Sequence, residues 1–268
     1  MPTLSIVIVT FNAGGDIERT LDSVFSQNYQ DYEVVLIDGA STDGTIESLE
    51  NYSSRLDYCI SEPDEGIYDA MNKGIAAARG DYLQFLNAGD CFSSECALDT
   101  VFSSPVSLLP PIIYGGITIF DETGPSSMLC PYEFTEEQLL QFGTRVVCHQ
   151  ALFVRRAWVP LYDTRYRFKA ELNWYFDLVH LHGDNYRKLD HSIVNYELGG
   201  YGHQHLIRNR FDWLRVVYNR YGVRAIFEHG LLKFIWKNSF HTYAWLRTVD
   251  QMLTFPVRAW RKLKHLLG

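Results

Sequence analysis

The sequence predicts an α/β fold for residues 1–205, a Rossmann-like, mainly parallel sheet flanked by helices, with a helical extension over 206–268. Three observations predict it. Four short apolar runs in the first hundred residues each end in a polar turn that contains glycine. Between those runs, apolar residues recur with the 3.6-residue period of a helix. The chain has 268 residues, 47% hydrophobic and 21% charged, which is ordinary for a globular protein and enough for one large domain.

The elements follow in order. Leu4 to Val9 is a β-branched run of the kind found in a strand buried on both faces. The turn from Thr10 to Gly15 breaks it, and Ile17, Leu21, Val24 and Phe25 then share one helical face. Glu33 to Ile37 is a second buried strand that ends at Asp38. Residues 39–44 form a turn able to cap a helix running to about Tyr52. Leu56 to Ile60 reads as a third strand, followed by the acidic turn 61–66. A helix from Ile67 to Ala78 is expected to stop at Arg79-Gly80, a basic last turn with a C-cap glycine. Tyr82 to Leu86 is the fourth strand and ends in Asn87-Ala88-Gly89-Asp90. Strand, loop and helix alternating in this way give right-handed crossovers, and ligands then bind beyond the carboxyl ends of the strands. Asp38, the 61–66 loop and Asp90 should therefore meet at one crevice. Further on, Ile112 to Phe120 reads as a strand and Thr135 as the cap of a helix beginning with two glutamates. A last helix is expected from about Gln204 to Tyr221.

The net charge of −8 argues against a nucleic-acid partner. No GxGxxG or Walker lysine pattern lies in the turns, so dinucleotide oxidoreductases and P-loop enzymes have no anchor. The five cysteines form no CxxC pair and show no zinc spacing. The N-terminus has no signal-peptide pattern, and prolines and glycines break the uncharged stretch 100–120, which together suggest a cytoplasmic protein. Residues 231–268 carry seven basic side chains and one acid, interleaved with Trp236, Trp245 and Trp260. That pattern suits a peripheral contact with the inner membrane surface, and equally a terminal helix pair packing its aromatics on the main domain.

Chemically, Asp38 stands where a nucleotide base or ribose can be gripped, or where an acid caps a helix. Asp64 and Glu65 read as loop acids. Asn87 and Asp90 offer hard oxygen ligands beside a tight turn, suited to Mg²⁺ or Mn²⁺ on a diphosphate, or a helix cap for the following segment.

Taken together, SIVIVTFN, VLIDGASTDGT, SEPDEGIYDAMNKGI and GDYLQFLNAGD resemble the family 2 glycosyltransferases of the bacterial surface-polysaccharide type, whose fold is GT-A. The resemblance spans roughly residues 3–200 and is strongest over 3–102. It implies a donor-binding half over 1–102 and an acceptor half over 103–205. It implies that Thr10, Asn12 and Asp38 meet the nucleotide, that Asp64, Asn72 and Lys73 line the nucleotide and sugar side, and that Asn87 and Asp90 occupy the position of the family's metal motif. Asp90 is the single carboxylate among those four residues. The donor would be a nucleotide-diphosphate sugar, uridine by analogy, and the acceptor a glycan or a lipid-linked sugar.

In the second half, His149-Gln150 resembles a family dipeptide on the acceptor side of the cleft, and His149 is read as positioning. The family's general base falls at Asn173, which cannot take a proton. Glu171, two residues earlier, is taken as the base, and Asp177 lies one turn beyond on the same face. Gly199 and Gly200 resemble a glycine-rich loop that closes over the donor. Two rival readings remain. One is a sugar nucleotidyltransferase, for which TFNAGG lacks a basic residue. The other is a non-catalytic nucleotide- or glycan-binding module with a degenerate site.

Overall fold

The computed structural model describes residues 1–121, 124–128, 132–197 and 206–228. Gly199, Gly200 and the basic segment 231–268 lie outside the described residues. The chain divides into two compact units, Met1–Val216 and Val217–Gly268. The first holds every described residue of the candidate site.

The central strand β1 (Leu4–Thr10) is buried along its whole length. It pairs in parallel with β2 (Tyr32–Asp38) on one side and with β4 (Tyr82–Asn87) on the other. Strand β3 (Tyr58–Ser61) pairs in parallel with β2 at the sheet edge. It begins two residues later than expected, because a 3-10 turn over Ser53–Arg55 takes up the preceding chain and Asp57 Oδ2 accepts from Val34 N–H.

Helices cover both faces. On one, Leu4, Ile6 and Ile8 join Ile17, Leu21 and Val24 of α1 (Asp16–Phe25) in the main apolar cluster. On the other, α3 (Ile67–Ala77) lies so close to β1 that a side chain at Gly74 would collide with Val7. Helix α2 (Thr45–Glu50) follows the β2 turn.

The second half turns the sheet mixed. Strand β8 (Leu152–Arg155) runs antiparallel to both β4 and β6 (Ile112–Asp121), and β6 runs parallel to β9 (Tyr186–Glu197). The short β5 (Cys91–Phe92) and β7 (Gly124–Met128) pair antiparallel with β9 and β6. Among the described residues the sheet has nine strands. Because β8 runs against β4, its amino end lies beside the carboxyl end of β4. Helix α4 (Glu136–Phe142) starts at Thr135, whose hydroxyl accepts from Gln138 N–H as the sequence predicts. Helix α5 (Ala170–His182) carries the predicted base region, and Leu206–Glu228 is helical. Among the described residues no helix is long and apolar enough to cross a membrane.

Gly80 is not a helix cap. Helix α3 ends at Ala77, and Ala78 is already extended. Gly80 N–H donates to Ser5 Oγ, and a Cβ there would sit 2.6 Å from Ser5 N. Arg79 serves a buried acid instead: Glu33, 2% exposed, accepts from Ser5 Oγ at 2.6 Å and Arg79 Nε at 2.9 Å. Burial raises the Glu33 carboxyl, but the hydrogen bonds from Ser5 and Arg79 outweigh it and leave the group below the usual carboxylate range.

Gly80→Ala should therefore cost about 1–3 kcal/mol in chemical denaturation, the usual penalty of overpacking a filled site. Gly15→Ala, with nothing within 4 Å of the added carbon, should change stability little.

Candidate active site

The carboxyl ends of β1, β2 and β4 lie side by side, since Thr10 pairs with Asp38 and Val9 with Asn87. Two inter-strand spacings, about 10 Å, thus separate the Asp38 end from the Asn87 end. On the β2 side, Asp38 is fully buried. It accepts from Ser41 N–H at 2.9 Å, Ser41 Oγ at 2.5 Å and Ser61 Oγ at 2.6 Å. Asn12 sits at φ 50, in the left-handed region that Asn tolerates better than most residues. Its N–H donates to Ser41 Oγ, and its Oδ1 accepts from Thr42 N–H. The Thr10 hydroxyl is buried without a partner. Asp64 Oδ1 accepts from Gly66 N–H at 2.8 Å and so closes the turn that leads into α3. Its other oxygen lies against Gly39, where a Cβ would come within 2.6 Å of it. The first three turns therefore do converge.

Asn72 and Lys73 are committed elsewhere. The Asn72 amide bridges α3 to the main chain of Tyr162, with bonds of 2.8 and 2.9 Å to its N–H and carbonyl. Lys73 pairs with Glu62 at 2.8 Å and donates to the Pro63 carbonyl, so it braces the loop that carries Asp64.

On the β4 side, Asp90 is 6% exposed. Its main-chain carbonyl accepts from Thr20 Oγ1, and Gly89 N–H donates to the same hydroxyl, which fixes the turn on α1. Asp90 Oδ2 accepts from Gln150 Nε2 at 2.5 Å, and Gln150 Oε1 accepts from Asn87 N–H at 3.0 Å. Asn87 Nδ2 lies 3.4 Å from His149 Nε2. An amide nitrogen only donates, so in this contact His149 Nε2 accepts, and its other ring nitrogen, Nδ1, lies 3.3 Å from Glu171 Oε2. Glu171 Oε1 lies 3.3 Å from Lys169 Nζ. One line of polar contacts thus joins Asp90, Gln150, Asn87, His149, Glu171 and Lys169.

Glu171 is largely buried, its side chain 18% exposed. Burial alone would raise its carboxyl. The adjacent Lys169 charge and the His149 hydrogen bond win, and bring it down to about 2. Burial, then the nearby Glu171 charge, holds the hydroxyls of Tyr68, Tyr162 and Tyr175 well above the ordinary tyrosine range. Asn173 is buried, with its amide 3.4 Å from Asp177 Oδ2 one turn on.

Among the described residues, no three His, Cys, Asp or Glu side chains gather to hold a metal by themselves. The site nonetheless fits a divalent cation that takes further oxygens from a diphosphate. Asp90 supplies a carboxylate, and Asn87 Oδ1 is buried without a hydrogen-bond partner. Both are hard oxygen donors on one tight turn.

Sequence reasoning missed Gln150, Lys169, Ser41 and Ser61. Gln150 stands in the dipeptide already singled out, so its neighbour His149 was the available signal. A hollow of about 580 Å³ lined by Pro111, Trp158, Pro160 and His182 lies at the other end of the sheet, where β6 begins.

The "Glycosyl transferase family 2" model matches residues 5–159. A PGL/p-HBAD biosynthesis glycosyltransferase of Mycobacterium bovis is 33% identical over 183 residues, 66% of this chain and 69% of that protein. Glycosyltransferase AglE of Haloferax volcanii is 36% identical over 96 residues, 34% of this chain and 31% of its own. Among solved structures, S. aureus TarS 1–349 in complex with UDP-GlcNAc superposes with a TM-score of 0.64 at 14% identity, covering 91% of this chain and 74% of that one. The mannosyltransferase PcManGT of Pyrobaculum calidifontis, in complex with GDP-Man and Mn²⁺, gives 0.57 at 15%, covering 98% and 84%. At such identities the structures establish a shared GT-A fold.

The Lys169–Glu171 contact has a pH signature. A carboxyl lowered by folding contributes stability above its unfolded value of 4.5, and loses it as pH falls toward 2. Lys169→Met should cost about 3 kcal/mol at neutral pH, as breaking a buried pair does. In urea titrations that cost should shrink steadily below pH 4.5.

Proposed function

The chain belongs to glycosyl transferase family 2, and from that premise we propose that it is an inverting transferase moving a sugar from a nucleotide-diphosphate donor to a hydroxyl of a glycan or lipid-linked acceptor. The observation that carries the reading is the polar line from Asp90 to Glu171, which runs from the Asn87–Asp90 turn to a largely buried carboxylate. Uridine is the preferred base, in keeping with the UDP-GlcNAc that TarS binds. Surface-polysaccharide or glycolipid assembly is the preferred setting, in keeping with the mycobacterial relative's name.

The donor's base lies over the β1 and β2 ends, where the buried Thr10 hydroxyl is unpaired and Asp38 is oriented by two serines. Its diphosphate lies at the Asn87–Asp90 turn. A divalent cation held there by Asp90 and Asn87 Oδ1 would offset charge on the departing diphosphate. The acceptor oxygen attacks the anomeric carbon from the face opposite the diphosphate. The new carbon–oxygen bond forms as the bond to phosphate breaks, the acceptor proton passes to Glu171, and nucleoside diphosphate leaves with the electron pair. At about 2, the resting Glu171 carboxylate is a weak base. We infer that the acceptor hydroxyl takes the place of one of its two partners, so that burial raises its proton affinity when it is needed.

Lys169 beside Glu171 also suits the rival reading, a binding module whose base is silenced. Release of nucleoside diphosphate on adding acceptor separates the two, and pyrophosphate release would instead mark a nucleotidyltransferase. Asp90→Ala should abolish transfer. Glu171→Gln should lower kcat by on the order of 10²–10⁴ while leaving donor affinity near that of the wild type. Wild-type turnover in Glu171→Gln would remove Glu171 from the mechanism. UDP should raise the thermal midpoint of the full chain, and raise it further with Mn²⁺, if the nucleotide binds the folded state.

A further inference from the structure

We propose that Gln150 is the positioning residue that keeps the diphosphate end and the acceptor end of the cleft in register. The proposal rests on the transferase reading above and gives a function to Gln150, which that reading counts in the polar line but assigns no part in transfer. Gln150 is fully buried in the 3-10 turn His149–Ala151, immediately before β8. Its side chain is used at both ends: Nε2 donates to Asp90 Oδ2 and Oε1 accepts from Asn87 N–H. Its own carbonyl accepts from Gln84 Nε2 at 2.6 Å, which ties the turn to β4. A buried amide cannot rotate out to water without leaving partners unsatisfied, so its orientation is fixed by these bonds.

The arrangement makes one dipeptide serve two ends. Gln150 aims the Asp90 carboxylate and holds the Asn87 main chain. The adjacent His149 accepts from the Asn87 side chain and reaches Glu171 through its other nitrogen. Asn87 is thus gripped from both residues, and a shift of Gln150 displaces Asp90 and the His149–Glu171 contact together. In a reaction whose rate depends on placing two reactants within a few tenths of an ångström, that register affects turnover as well as donor binding.

The test is Gln150→Met, which keeps the volume and removes both side-chain bonds, beside Gln150→Glu. The glutamate keeps an acceptor for Asn87 N–H but puts a second carboxylate against Asp90. UDP affinity with and without Mn²⁺ is measured by calorimetry, Mn²⁺ binding alone by electron paramagnetic resonance, and donor kcat and KM by nucleotide release. Gln150→Met is expected to weaken UDP about tenfold and to lower kcat by a similar factor, the usual consequence of losing a hydrogen bond to a charged group. Gln150→Glu is expected to bind Mn²⁺ alone more tightly than the wild type and to retain more kcat than Gln150→Met. A Gln150→Met protein with a lowered thermal midpoint but unchanged UDP affinity and kcat would overturn the proposal and leave Gln150 a packing residue. So would two variants that behave alike in Mn²⁺ binding and kcat. A wild-type chain that binds no nucleoside diphosphate would instead remove the donor reading, and this proposal with it.

Discussion

The antiparallel pairing of β8 with β4 is the constraint on which the candidate site depends. It involves three residue pairs, Tyr82 with Arg155, Leu83 with Val154 and Gln84 with Phe153. Each β8 residue is set opposite its partner, and the chain just before β8 is thereby laid along the carboxyl end of β4. There His149 and Gln150 meet Asn87 and Asp90. A register slip of one residue would send the β8 side chains to the opposite face of the sheet and separate the two halves of the polar line. At the far end of β8, Arg155 secures the register by donating to the Val106 and Leu109 carbonyls and the Tyr82 hydroxyl.

The donor half was legible because its information is local. Apolar runs buried on both faces announce β1, β2 and β4, and the glycine-bearing turns mark their ends. The expected meeting of Asp38, the 61–66 loop and Asp90 follows from element order alone; the structure sets the 61–66 loop beside Asp38 on neighbouring strands and puts the Asp90 turn on β4, one strand beyond β1. What failed to read was set by partners distant in sequence. Gly80 looks like a helix cap by position, yet its conformation answers to Ser5 and Glu33, more than 45 residues away. Asn72 is a ligand contact by resemblance, and its two bonds to the Tyr162 main chain, 90 residues on, left no mark in its neighbouring sequence. Gln150 gave no signal beyond its neighbour His149, because an amide carries no charge and fits any surface. Only its burial between Asp90 and Asn87 gives it a role.

The electrostatics of the two ends differ in kind. At Asp38, hydroxyls and an N–H satisfy the carboxylate, so its charge is held without a counter-charge. Hydrogen bonds from neutral donors orient such a group and leave it able to exchange one serine for a ligand N–H at small cost. Glu171 is instead held by the Lys169 ammonium and a histidine, largely buried and near Tyr68, Tyr162 and Tyr175. Its proton affinity therefore depends on where Lys169 points. A carboxylate poised in this way changes strength when a single partner moves, as general bases in closed sites require.

Between Asp90 and Glu171 the connection is made by neutral amides and an imidazole. Asn87 and Gln150 each offer a donor and an acceptor, so they transmit direction without adding charge between Asp90 and Glu171. A lysine in their place would neutralise Asp90 and compete with any cation for it. A second carboxylate would repel Asp90 whenever no cation was bound. A buried polar line is destabilising unless every member is satisfied, and here one oxygen, Asn87 Oδ1, is buried without a partner beside Asp90. The unmet acceptor and the lone carboxylate sit on the same turn. The carboxyl end of β4 thus carries an unmet amide oxygen and a carboxylate on one turn, with hydrogen-bond donors close by at the histidine end.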